Sequence, residues 1–164
     1  MDFKSELRDL KFKVLDGEII FRVNSYSINR FKKELDFILA NFKDDVITGS
    51  LALNLYGLID RPIGDIDILI NDKDRYQNYI TDGYDEVISN RLGYKEFRWR
   101  KNIFSKKQFY SVDFFNDKGD SYQVFEYKGN LLKLHNPFDI ISQKLTMAGN
   151  KHRYDLHKLF SDIL

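Results

Sequence analysis

"ITGSLALNLYGLIDRPIGDIDILI", residues 47–70, joins an apolar start, a Gly-Ser pair, a short apolar segment and an isoleucine-rich run that carries two aspartates. That last run decides the fold. Asp65 and Asp67 interrupt Ile66, Ile68, Leu69 and Ile70. Burying a carboxylate is expensive unless something compensates it. Read as a strand over 65–70, the run alternates faces, so Asp65 and Asp67 point the same way, roughly 6.6 Å apart along the strand. Ile66 and Ile68 then point to the opposite, buried side. Two like charges so placed repel, and a hard divalent cation between them reverses the sign of the interaction.

Upstream, residues 46–48 predict a brief strand running into Gly49-Ser50 and a short helix over 51–56 that stops near Gly57. Backbone N–H groups at a helix start and a serine hydroxyl suit a phosphate, and glycine lets the backbone come close to it. Ser50 is also a good N-cap in any helix. Downstream, Asp113 lies in a strand-like run with Val112 and Phe114 on its other face. It is the best third carboxylate if two metals are to be held.

Around this centre the elements alternate. Residues 3–11 predict a short amphipathic helix, and residues 12–23 a hairpin closed by Asp16-Gly17. A helix over 28–42, capped by Ser27, sets Ile28, Phe31, Leu35, Ile38 and Phe42 on one face. Residues 73–92 predict one or two helices with Gly93 as a C-cap. Strands follow over 95–104, 108–115, 121–127 and 130–134. Pro137 opens a helix reaching residue 147, and a last helix covers 151–163. The order predicts an α+β (mixed α/β) single domain over 1–164. Its sheet-containing core spans about 1–135, with helices on one face, and a helical extension covers about 136–164.

The totals agree with one globular domain. The chain has 164 residues, 43% hydrophobic and 31% charged, with net charge +1. Bulk charge implies neither nucleic acid nor membrane. The absence of cysteine excludes disulfides and thiolate metal sites. No apolar run has the length of a membrane span, and the start of the chain lacks a signal-peptide core, so a cytoplasmic place is expected. Fourteen Phe and ten Tyr predict a core built on rings rather than on Val and Leu. Residues 91–107 hold seven basic side chains and one acidic; as a strand they read best as a core-facing aromatic pair, Phe97 and Trp99, beside a solvated basic edge. His152 and His157 do not share a helix face well and read as surface residues.

Taken together, an apolar residue, Gly-Ser, a short helix, Asp-x-Asp on a strand and a later strand aspartate resemble the nucleotidyltransferase superfamily with the DNA polymerase beta-like fold. The stretch is most similar to small bacterial members, the toxin-like abortive-infection type and the minimal nucleotidyltransferases. Fourteen residues separate Ser50 from Asp65, a spacing usual for the toxin-like branch. "HNPFDIISQKLTMAGNKHRYDLHKL" is similar to that branch's Lys-containing helix and the basic segment after it, with Lys144, Lys151 and Asp155 at the matched positions. The chain departs from the branch in having no arginine near Gly149.

The resemblance implies transfer of a nucleoside monophosphate from an NTP to a hydroxyl of a tRNA, a protein or a small molecule, with release of pyrophosphate. Asp65, Asp67 and Asp113 would be catalytic and hold Mg²⁺ or Mn²⁺. Gly49, Ser50, Arg61, Lys144, Lys151 and Asp155 would bind the nucleotide, Arg61 either reaching a phosphate or bracing its loop. The same resemblance implies a toxin with an antitoxin partner, and no membrane partner. The competing expectation is a catalytically silent relic of the fold that binds a nucleotide or a partner protein.

Overall fold

The structure is a computed structural model that describes residues 12–70, 72, 74–75, 77, 85–89, 96–104, 109–116, 121–146, 155 and 157. β1 (Phe12–Leu15) and β2 (Glu18–Phe21) form a two-stranded hairpin. Asp16 and Gly17 both have positive φ, 50° and 79°, the backbone that a two-residue hairpin turn demands. α1 (Ser25–Arg30) and α2 (Lys32–Asn41) follow, then β3 (Val46–Thr48), α3 (Gly49–Leu55) and β4 (Asp65–Ile70). β5 (Asp85–Ser89), β6 (Glu96–Phe104), β7 (Phe109–Asn116), β8 (Tyr122–Tyr127) and β9 (Asn130–His135) complete the strands, and α4 (Pro137–Thr146) comes after them. Residues 155 and 157 are helical.

β3 to β9 build one mixed seven-stranded sheet in the order β5-β6-β7-β4-β3-β9-β8. β4 runs parallel to β7, and β3 runs parallel to β9 and antiparallel to β4. The alternation read in residues 65–70 is what buries one face. Ile66, Ile68 and Ile70 join Ile47, Val112, Phe114, Leu132 and Leu134 in a continuous core. α2 adds Leu35 and Ile38, and α3 adds Leu51 and Leu55, packing on β3 and β4. The fold is therefore α+β, as the sequence predicts. Among the described residues no helix is long and apolar enough to cross a membrane.

Several local expectations are corrected. The helix over 28–42 is two helices, broken at Phe31, whose φ of −101° and ψ of 27° leave the helical region. Its cap is Asn24, whose Oδ1 accepts from Ser27 N at 3.1 Å; Ser27 is a buried residue inside α1. In the 73–92 region residues 74, 75 and 77 are helical as expected, but Asp85–Ser89 is the strand β5, which pairs antiparallel with β6. β6 is consequently an interior strand between β5 and β7, not a basic edge. Among the residues whose burial is described, Leu and Ile outnumber rings, and Tyr56, Phe42 and Phe114 are the largest fully buried side chains. The helix expected over 3–11 and most of that over 151–163 lie outside the described residues.

Two tyrosines tie layers together. The Tyr56 hydroxyl donates towards the carbonyls of Leu134 and His135 at 3.1 and 2.8 Å. The Tyr127 hydroxyl faces Asp36 Oδ1 at 2.5 Å, joining β8 to α2. Burial pushes both phenols up; with the added bond to Asp36, Tyr127 rises to about 12. A raised phenol stabilises the fold fully below the unfolded-state value near 10, and that stability is lost as pH climbs through the folded value. In an alkaline titration followed by phenolate absorbance, Tyr127→Phe should remove one late-ionising tyrosine and leave the early ones unchanged.

Candidate functional site

β4 and β7 are paired so that Asp67 is level with Asp113 and Asp65 with Ser111. Residues level with one another in a parallel pair share a face, and neighbouring strands are about 4.8 Å apart. Asp113 is fully buried, with Val112 and Phe114 in the core on the opposite face. Asp65 and Asp67 are half-buried. The three carboxylates thus lie on one face, Asp67 and Asp113 side by side and Asp65 one strand step away. Two charges that close repel by roughly 3 kcal/mol at an effective dielectric near 20, so the row favours a positive partner. The register continues through Arg100 of β6 on one side of Asp113 and through Thr48 of β3 on the other side of Asp67.

Gly49 explains itself at this row. Its φ is +67°, and a Cβ added there would stand 2.2 Å from Asp67 Oδ2. The chain turns out of β3 so tightly against the Asp67 carboxylate that no side chain fits. Thr48, the residue before it, is the N-cap of α3 in extended conformation, yet its side chain makes no capping hydrogen bond.

Ser50, Arg61 and Asp155 form a second cluster. Arg61 Nε and Nη2 donate to the two Asp155 carboxylate oxygens at 2.6 and 2.7 Å. Nη2 also donates to Ser50 Oγ at 2.6 Å, and Nη1 to the Pro62 carbonyl at 3.1 Å. Asn54 Oδ1 accepts from the Arg61 backbone N–H at 3.2 Å. The fork geometry matches a bidentate guanidinium–carboxylate pair. Asp155 is fully buried, so Arg61 acts as a brace between the loop ahead of β4 and Asp155. Lys144 is on α4, and Lys151 lies outside the described residues.

Sequence reasoning missed a third group. Thr48 Oγ1 and His135 Nδ1 share a 2.8 Å hydrogen bond, and His135 Nε2 is 3.7 Å from Asp139 Oδ2. The parity of β9 carries the signal. Leu132 and Leu134 enter the core, so Lys133 and His135 take the aspartate face. His157, by contrast, is exposed, as expected.

Carboxylate oxygens are the donors that Mg²⁺ or Mn²⁺ takes, and Mg²⁺ is usually held by one or two carboxylates together with substrate phosphates. Asp67 and Asp113 fit that demand. Among the described residues no group of three or more His, Asp or Glu side chains is gathered to hold a metal ion.

No protein-family model and no curated protein matches the chain. Among solved structures it is similar to an antigenic nucleotidyltransferase-like protein from Paracoccidioides brasiliensis, at 15% identity over 86% of this chain and 77% of that one, with a TM-score of 0.47. It is also similar to JHP933 from Helicobacter pylori, at 21% identity over 84% of this chain and 67% of that one, with a TM-score of 0.47. Residue roles rest on this chain's own geometry.

Two substitutions test the geometry. Gly49→Ala should cost clearly more stability than Gly129→Ala in urea unfolding. Both have positive φ, 67° and 77°, worth about 1–2 kcal/mol of strain, but an added Cβ at Gly129 meets nothing within 4 Å. Arg61→Ala leaves Asp155 buried without its guanidinium and should cost about 3–5 kcal/mol in the same measurement.

Proposed function

We propose that the protein is a nucleotidyltransferase that moves a nucleoside monophosphate from an NTP to a hydroxyl, releasing pyrophosphate. The observation that carries this reading is the parallel register that sets Asp67 beside Asp113, with Gly49 packed against the Asp67 carboxylate. When bound, Mg²⁺ or Mn²⁺ supplies charge neutralisation on the phosphates and lowers the pKa of a hydroxyl nucleophile.

This chain's residues do the rest. Asp67 and Asp113 would hold the ion, and Asp65, on the same face of β4, would add a further carboxylate. Asp113, the buried member, accepts the proton of the acceptor hydroxyl. Gly49 gives the phosphates a close approach to the backbone. Ser50 is fixed by Arg61, so Arg61 and Asp155 act by holding that turn in place. Lys144 contributes a point charge to the phosphates from α4, and Lys151 assists from beyond it. The acceptor hydroxyl belongs to a tRNA, a protein or a small molecule. A cytoplasmic toxin held by an antitoxin is the biological setting that the sequence resemblance favours.

A second reading has its own observation. The chain has no arginine near Gly149, where the branch it resembles carries one, as a silent nucleotide-binding or partner-binding relic would allow. Label transfer from α-labelled NTPs with Mg²⁺ into a cell lysate separates the two. Wild type should transfer, and Asp67→Asn and Asp113→Asn should each fall at least a hundredfold. Nucleotide binding by calorimetry without any transfer would establish the relic instead, and equal transfer by the variants would overturn the proposed site.

A further inference from the structure

We infer that His135 is a positioning residue for the Asp67 row, acting through the Thr48 hydroxyl. The inference rests on the nucleotidyltransferase reading and deepens it.

The backbone ladder between β3 and β9 pairs Val46 with Lys133 and Ile47 with Leu134. The next row along holds Thr48, which is level with Asp67 across β4. At this row a side-chain bond, Thr48 Oγ1 to His135 Nδ1 at 2.8 Å, continues the connection between the strands. Both residues are buried. A threonine at an N-cap ordinarily spends its hydroxyl on the first N–H groups of its own helix. Thr48 does not cap α3; its hydroxyl is turned towards β9.

His135 holds the other end of α3 as well. Its carbonyl accepts from the hydroxyl of Tyr56, the C-cap residue of that helix, at 2.8 Å. One residue thereby fixes both ends of the helix that follows Gly49. Asp139, in the first turn of α4, has its Oδ2 3.7 Å from His135 Nε2. The consequence falls on Asp67. Its carboxylate lies against Gly49 and beside Thr48, so a shift of the end of β3 moves the wall behind it. Well-oriented reacting groups tolerate little displacement: a misplacement of about 1 Å costs on the order of a hundredfold in rate.

The test compares Thr48→Val, Thr48→Ser and His135→Asn with wild type in Mg²⁺-dependent label transfer, resolving kcat from KM, with thermal melting alongside. Thr48→Val keeps the shape and removes the hydroxyl, while Thr48→Ser keeps the hydroxyl. His135→Asn keeps a polar atom near the Nδ1 position. The expected result is a tenfold or greater fall in kcat for Thr48→Val with KM within twofold. Thr48→Ser should stay within threefold of wild type, and His135→Asn should fall between the two. Wild-type kcat in Thr48→Val overturns the inference, as does a loss in Thr48→Ser equal to that in Thr48→Val. A Thr48→Val protein too unstable to assay leaves the decision to Thr48→Ser against His135→Leu, which removes the Nδ1 partner: equal kcat in the two overturns it, and a lower kcat in His135→Leu supports it. A wild type without transfer removes the underlying reading and this inference together, whereas an active wild type with unchanged variants removes this inference alone.

Discussion

The parallel pairing of β4 with β7 is the constraint from which the rest follows. Residue 67 is level with residue 113, and 66 and 68 with 112 and 114. A slip of one residue would send Asp113 into the core and bring Val112 or Phe114 out to the aspartate face. The apolar positions forbid that slip, because Ile66, Ile68, Val112 and Phe114 are all fully buried on one side. The hydrophobic core thus sets the spacing of the carboxylates. Position is specified by the apolar residues, and the carboxylates are carried along on the opposite face.

A second constraint holds the Gly-Ser turn. Arg61 is bonded at once to both oxygens of Asp155 and to the hydroxyl of Ser50. A buried ion pair adds little net stability when compared with well-packed apolar groups. Its use here is geometric. The guanidinium fork holds two groups from distant parts of the chain, the Asp155 carboxylate and the Ser50 hydroxyl, at once, which a lysine at the same position would not do.

Much of this was legible in the sequence because it is encoded locally. Period-two alternation over 65–70 gave the strand and its face, and the Asp16-Gly17 and Pro137 signals gave a turn and a helix start that the structure keeps. What was not legible depends on pairing between distant segments. Asp85–Ser89 has its two apolar residues, Val87 and Ile88, adjacent rather than alternating, and becomes a strand by lying against β6. Ser27 looked like a cap, but Asn24 takes that place, with its side chain pressed close to Gly57. Arg61 had two readings from sequence, a phosphate contact or a brace, and its partner 94 residues away shows it bracing. His135 drew no notice because a lone histidine at a strand end has no spacing to mark it; its meaning comes from Thr48, 87 residues earlier.

Those separations bear on how the molecule comes into being. Closing a loop of 94 residues costs about 4 kcal/mol of chain entropy beyond a constant, and contacts of such reach form late in folding. During synthesis, Asp65 and Asp67 leave the ribosome long before Asp113, His135 or Asp155. A nascent chain therefore carries the acidic strand without its neighbour, its wall or its brace. The aspartate row is complete only once residue 113 has been made, and the Arg61 brace beside it only once residue 155 has followed.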